Sequence, residues 1–312
     1  LLLGFTVMAM LVSTVFEAWA YHSFGGIVSL IVVFGAGITI FLEVKLALHQ
    51  IPQKIDKKAI FFQSIAVFLG GLITYALTHS LRLGPVVAAS LVAILAYLVA
   101  PDYAIPAYCG AFIGMTSNDL LFDFWEVGLG GIISGIVFIL TRDVFNGFGG
   151  KLGTIALIGT AATGMSLGRE FLLSPIGDWK TTGLILLTAL IATPLTFYLN
   201  NQKEHGPVMA SAYVGLIAGL ILPNILPQYG QTLAVVAICA SFAGMTNPER
   251  CSTFWHIFIT AAFTGLVFVY STPLLGGAGG KLGTIAFGSV LATYGYIKII
   301  NWLRRDQKMI RG

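Results

Sequence analysis

The chain has 312 residues, 57% of them hydrophobic and only 10% charged, where roughly a quarter of an ordinary soluble domain is charged. That composition excludes water as the main solvent, and the absence of any long stretch of mixed composition excludes a globular appendage. The net charge of +4 is better explained by membrane topology than by an acidic partner, and no basic, aromatic-interleaved patch of nucleic-acid-binding type occurs.

Apolar runs long enough to be weighed against the roughly 20 residues that cross a bilayer core begin near 2–20, 25–48, 59–79 and 84–100. They continue near 104–117, 127–141, 152–168, 181–199, 206–223, 231–246, 254–271 and 282–300. The expectation is an all-α polytopic membrane protein with about twelve transmembrane segments. The runs at 104–117, 127–141 and 231–246 are short, so crossing and re-entry both stay open for them. Between the second and third runs, "EVKLALHQIPQKIDKK" reads as a basic amphipathic surface helix or linker.

If all twelve cross, Lys45, Lys54, Lys57, Lys58, Arg142, Lys151, Lys203, Arg250, Lys298, Arg304, Arg305, Lys308 and Arg311 share one side. Arg82, Arg169, Lys180 and Lys281 take the other, which predicts an inner (plasma) membrane protein with a cytoplasmic C-terminus. Making the fifth and tenth runs re-entrant leaves the imbalance nearly intact, so charge does not choose between the two topologies.

The second half of the chain answers the first. "GPVVAAS" from Gly84 pairs with "GPVMAS" from Gly206, and "CGAFIGMTS" from Cys109 with "CASFAGMTN" from Cys239. "NGFGGKLGTIA" from Asn146 pairs with "GGAGGKLGTIA" from Gly276. Matches in one order define a repeat, and the chain divides into two N-terminal helices with a basic linker (1–58), unit 1 (59–168), unit 2 (181–300) and a basic cytoplasmic tail (301–312). Five runs per unit is an odd number, so unit 2 enters from the opposite face and the units are expected to be inverted, as in many secondary transporters. Four crossings plus a re-entrant segment would make them parallel instead. The first two runs, outside the repeat, fit a scaffold or homo-oligomer contact.

The repeated stretches carry the candidate chemistry. "GGKLGT" superficially resembles a phosphate-binding loop, but Leu152 and Leu282 stand where Ser or Thr is needed and no strand precedes either copy, so nucleotide binding is rejected. What is left is a glycine-freed turn leading into an apolar helix, where first-turn N–H groups and a lysine together suit an anion. Gly150, Lys151, Gly153 and Thr154, with Gly280, Lys281, Gly283 and Thr284, are the expected substrate contacts. The bland alternative is close helix packing through the glycines, with the lysines reaching for lipid headgroups. The "GMT" ends offer Thr116, Ser117, Asn118, Thr246 and Asn247, whose hydroxyls and neighbouring carbonyls suit a substrate or a coupling cation such as Na⁺ if the helices break there; a plain helix cap explains them equally. Pro85 and Pro207 read as helix-start grammar.

Cys109, Cys239 and Cys251 form no disulfide framework, and the five histidines show no metal-ligand spacing. Glu17 is read as the one carboxylate inside a span, near the interface, which disfavours proton coupling through a buried acid. No catalytic constellation is present, so no enzyme and no other cofactor is expected. The expected function is secondary transport of a small solute, leaning to a small anion or carboxylate, by alternating access, with Na⁺ symport as an option. A channel or facilitator on the same repeat, or a non-transporting membrane scaffold, are the alternatives.

Overall fold

A computed structural model describes residues 1–49 and 56–311. Twelve α-helices are found among them: α1 Leu2–Tyr21, α2 Ser23–Leu48, α3 Lys57–Tyr75, α4 Pro85–Val99, α5 Ala104–Gly114 and α6 Phe124–Leu140. They continue as α7 Lys151–Ser166, α8 Trp179–Asn201, α9 Gly206–Ile225, α10 Gly230–Gly244, α11 Phe254–Tyr270 and α12 Lys281–Arg311. A π-turn, Ala76–Ser80, extends α3, and one turn of tighter helix, Pro101–Tyr103, leads into α5. Strands are absent from the described residues apart from one isolated bridge between Leu172 and Gly276.

Local chemistry accounts for the starts. Asp56, Asp178 and Thr253 each accept a first-turn N–H with their side chains at α3, α8 and α11. Pro85 and Pro207 occupy the first turns of α4 and α9, where a missing N–H costs nothing. The predicted runs all appear as helices with shifted ends: the run at 104–117 is helical only to Gly114, and that at 127–141 begins at Phe124. Of the predicted surface segment, α2 takes the residues up to Leu48, and 50–55 lie outside the described residues.

Six helices, Leu2–Tyr21, Ser23–Leu48, Lys57–Ser80, Trp179–Asn201, Gly206–Ile225 and Lys281–Arg304, are long and apolar enough to cross a membrane. The shorter ones fall below that length; α5, with 11 residues, is about 16 Å long against a hydrocarbon core of about 30 Å. The surface suits lipid rather than water. Phe5, Phe16, Phe34, Phe41, Leu140 and Trp255 point outward, while Thr14, Thr39, Ser90, Ser134, Thr193, Thr260 and Ser289 are buried.

Helices approach one another through small residues, as in membrane bundles. α3 lies on α5 and α8 on α10, and a Cβ on Gly110 or Gly244 would strike the facing backbone. α1 and α2 lie outside this arrangement and pack on α12, where Gly35 faces Gly295 and Thr39 donates to the Leu291 carbonyl at 2.7 Å.

The expected absence of buried carboxylates is corrected. Glu43, in the last turns of α2, and Glu126, in the first turn of α6, are both buried, each beside an arginine: Glu43 with Arg250 at 2.7 Å and Glu126 with Arg169 at 2.6 Å. Burial is tolerable because each carries its counter-charge, and for Glu126 also the Phe122 N–H. Glu17 is thus not the one carboxylate within a helix.

Candidate functional site

The two "GGKLGT" copies begin α7 and α12, each after a loop with the same backbone signature. Positive φ occurs at Phe145, Gly147 and Gly150 in one loop and at Leu275, Gly277 and Gly280 in the other, the same three places 130 residues apart. The last of these, Gly150 at φ +84° and Gly280 at φ +90°, sets the left-handed turn that aims the chain into the helix. The two helices then cross at their first turns, with Gly153 packed against Gly283 so tightly that a Cβ on either would overlap the other.

Each loop is held by the "GMT" end of the other half. Gly149 N donates to Thr246 Oγ1 at 3.1 Å and Asn247 N to the Gly147 carbonyl at 2.9 Å. In the mirror copy Gly279 N donates to Thr116 Oγ1 at 3.2 Å and Ser117 N to the Gly277 carbonyl at 2.9 Å. The repeated motifs are therefore brought together, and they meet in trans between halves. Within each half, the Cys109 thiol donates to the Leu152 carbonyl and the Cys239 thiol to the Leu282 carbonyl, tying α5 to α7 and α10 to α12.

Beside each loop lies a cavity. The first, about 270 Å³, is lined by Gly276 to Gly283 together with Pro85, Met115, Val235, Phe268 and Thr272. The second, about 370 Å³, is lined by Asn146 to Leu152 with Ile105, Phe138, Arg142, Pro207, Met245 and Asn247. Much of the linings corresponds through the repeat: Pro85 to Pro207, Met115 to Met245, Val235 to Ile105, Phe268 to Phe138, Thr272 to Arg142 and Lys281 to Lys151. Phe112 and Phe242 line both cavities, their rings 4.5 Å apart.

Lys281 reaches back to the Thr272 carbonyl at 3.1 Å, and Lys151 to the Arg142 carbonyl at 3.3 Å and Asn146 Oδ1 at 3.2 Å. Their ammonium groups are thus turned back onto carbonyls just past the ends of α6 and α11. In the second cavity Arg142 stands where the first has Thr272, and its charge is paired with Asp143 at 3.2 Å. Against two of the lining residues of the second cavity, Arg250 donates from Nε to the Asn146 carbonyl and stacks over Phe148 with its guanidinium carbon 4.3 Å from the ring centre, while pairing with Glu43.

Of the residues predicted from sequence, Gly150, Lys151 and Asn247 line the second cavity, and Gly280, Lys281 and Gly283 the first. Gly153 serves the helix crossing. Thr154 and Thr284 are buried one turn into their helices, Thr284 bonding back to the Gly280 carbonyl while Thr154 Oγ1 has no partner among the described residues. The Thr116 and Thr246 hydroxyls each accept a glycine N–H and donate to a carbonyl of their own helix, so both are engaged as loop anchors. Ser117 bonds to Asp119, and exposed Asn118 accepts from the Tyr75 hydroxyl. No group of three or more potential metal-ligating side chains occurs among the described residues.

Sequence reasoning passed over Phe112 and Phe242, although the repeat itself marks them: they are the shared aromatic of "CGAFIG" and "CASFAG". A further asymmetry appears behind them. Tyr108, 4.4 Å from Phe112 by ring centres, bonds through its hydroxyl to Ser211, and Ser211 to Ser241, all three buried. The positions corresponding to these residues in the other half are Ile238, Ala89 and Ala111. Compared with protein-family profiles, with curated proteins and with solved structures, the chain matches none.

Proposed function

We propose that the chain is a secondary membrane transporter of a small solute, built of two inverted five-helix units and two accessory helices. The observation that carries this reading is the pair of corresponding cavities, each with one lysine at a helix start, on either side of a shared Phe112–Phe242 contact.

Support for inversion comes from which helix ends meet. The end of α2, the loop between α6 and α7, and the loop between α10 and α11 gather around Arg250. A second group joins the end of α3 (Tyr75), the loop between α5 and α6 (Asn118, Leu121), the end of α7 (Arg169, beside Glu126) and the loop before α12 (Gly277, bonded to Ser117). On this reckoning α7 runs from the first group to the second and α12 starts from the second, so these repeat mates run in opposite directions. Each of the twelve segments, its helix together with the adjoining loop residues, then crosses, the two cavities face opposite sides, and the lysine–arginine imbalance assigns the first group and the C-terminus to the cytoplasm.

Each lysine and helix start would receive the anionic group of the solute, with apolar walls taking its body, which favours a small anion or carboxylate. Na⁺ coupling remains part of the proposal as a test: no other cofactor enters it. The experiment is uptake of radiolabelled small carboxylates into proteoliposomes holding the full chain, with and without an imposed Na⁺ gradient. Accumulation above the outside concentration, abolished in Lys151→Ala/Lys281→Ala, supports transport. Flux that only dissipates a gradient identifies a facilitator, and uptake indifferent to both lysines overturns their role.

A further inference from the structure

We infer that Phe112 and Phe242 are a removable partition between the two cavities, one that a solute must displace to pass between them. The inference deepens the transport reading and rests on its assignment of the cavities to opposite faces.

Three observations carry it. Both rings line both cavities, which no other pair of repeat mates does. They come from equivalent places in the last turns of α5 and α10, helices of 11 and 15 residues that stop short and give way to the "GMT" loops. Their packing is tilted, with centroids 4.5 Å apart and Tyr108 packed on the same cluster, so beside the Gly150–Gly283 backbone contact of the α7–α12 crossing the two cavities meet ring against ring. A backbone barrier would need a helix to unwind, whereas two phenyl rings on staggered rotamers clear a path by turning about χ1.

The chemistry of the partition also narrows the solute. No charged side chain belongs to it, and the Tyr108 hydroxyl is directed to Ser211, so an ion in transit finds no counter-charge there. Multiply charged and strongly hydrated ions are excluded on this basis, and a small, singly charged solute with an apolar body is favoured.

The test reads sidedness, and needs no identified substrate. A single cysteine is placed in each cavity, Thr272→Cys in the first and Asn146→Cys in the second, and a membrane-impermeant charged methanethiosulfonate is added to one face of sealed, oriented vesicles. The native cysteines are buried, so the parent chain is the blank. Each engineered cysteine is expected to react from one face only, the two from opposite faces, and each is expected to lose that sidedness once Phe112→Ala/Phe242→Ala is added. One-sided reaction that survives the double substitution overturns the partition, as does two-sided reaction with both rings present. Reaction of both cysteines from the same face would instead sink the inverted arrangement, a result distinguishable from failure of the partition. Should the double alanine chain not elute as a folded species, Phe112→Leu/Phe242→Leu is read by the same criteria.

Discussion

Removing Arg169 isolates the energetics of the α6–α7 hairpin. Its guanidinium lies 2.6 Å from Glu126, whose side chain is 1% exposed while that of the arginine is 29% exposed. Arg169→Ala leaves the carboxylate charged, buried and held only by the Phe122 N–H, a situation that costs about 3–5 kcal/mol for fully buried pairs. Because the arginine is partly open to solvent, the lower end applies, about 3 kcal/mol. Glu126→Gln keeps an acceptor for Phe122 and leaves a cation that water and the Phe122 ring, 3.9 Å away, still accommodate, so it should cost roughly 1 kcal/mol. The double variant should be less damaging than the sum of the singles. Thermal unfolding in detergent with a thiol-reactive fluorophore reports all of this directly, since the three buried cysteines light up only when the chain opens. Equal losses from the two single variants, or strict additivity in the double, would refute the buried-pair argument.

Gly153→Leu should prevent assembly of the α7–α12 crossing, because the facing Gly283 backbone cannot retreat, whereas Gly183→Ala, with nothing within 4 Å of the added atom, should be tolerated; yield of monodisperse protein separates them. Thr246→Val removes the anchor of Gly149 N and is expected to cost about 1–2 kcal/mol and to raise amide hydrogen exchange in the loop at 145–150, with Thr116→Val doing the same to the loop at 275–280. The native chain should resist maleimides near neutral pH: burial holds the Cys251 thiol well above its usual range, at about 12, so raising the pH from 7 to 9 still leaves it protonated. Labelling that climbs steeply over that interval in the folded protein would contradict the packing around Cys251. Thr39→Ala should loosen α2 from α12 by about 1 kcal/mol, read as a lower unfolding midpoint.

Much of the architecture was legible because hydrophobic length and repetition are one-dimensional signals. The helices, the accessory position of the first two, and the equivalence of the "GGKLGT" copies follow from runs and matches along the chain. What stayed hidden is pairing in space. Nothing local says that Thr246 anchors Gly149 rather than its own loop, since each motif reads as a complete cap by itself. Glu43 stood within the run 25–48 and Glu126 one residue before 127–141; what no local signal gives is their pairing with Arg250 and Arg169, 207 and 43 residues away. Phe112 and Phe242 were visible as letters of the repeat, but in a chain with 22 phenylalanines an aromatic on an apolar helix carries no distinguishing mark until the cavities are seen.

The hydroxyl chain from Tyr108 through Ser211 to Ser241 has a consequence for balance. Two identical copies facing opposite ways would make inward and outward forms equal in energy, and the molecule would idle evenly between them. On the proposed transport reading, the two bonds have no counterparts in the repeat, and at about 1 kcal/mol each they would favour the described form over a mirror image that breaks them by an order of magnitude or more. In a molecule that alternates as proposed, three oxygen atoms would set its resting position.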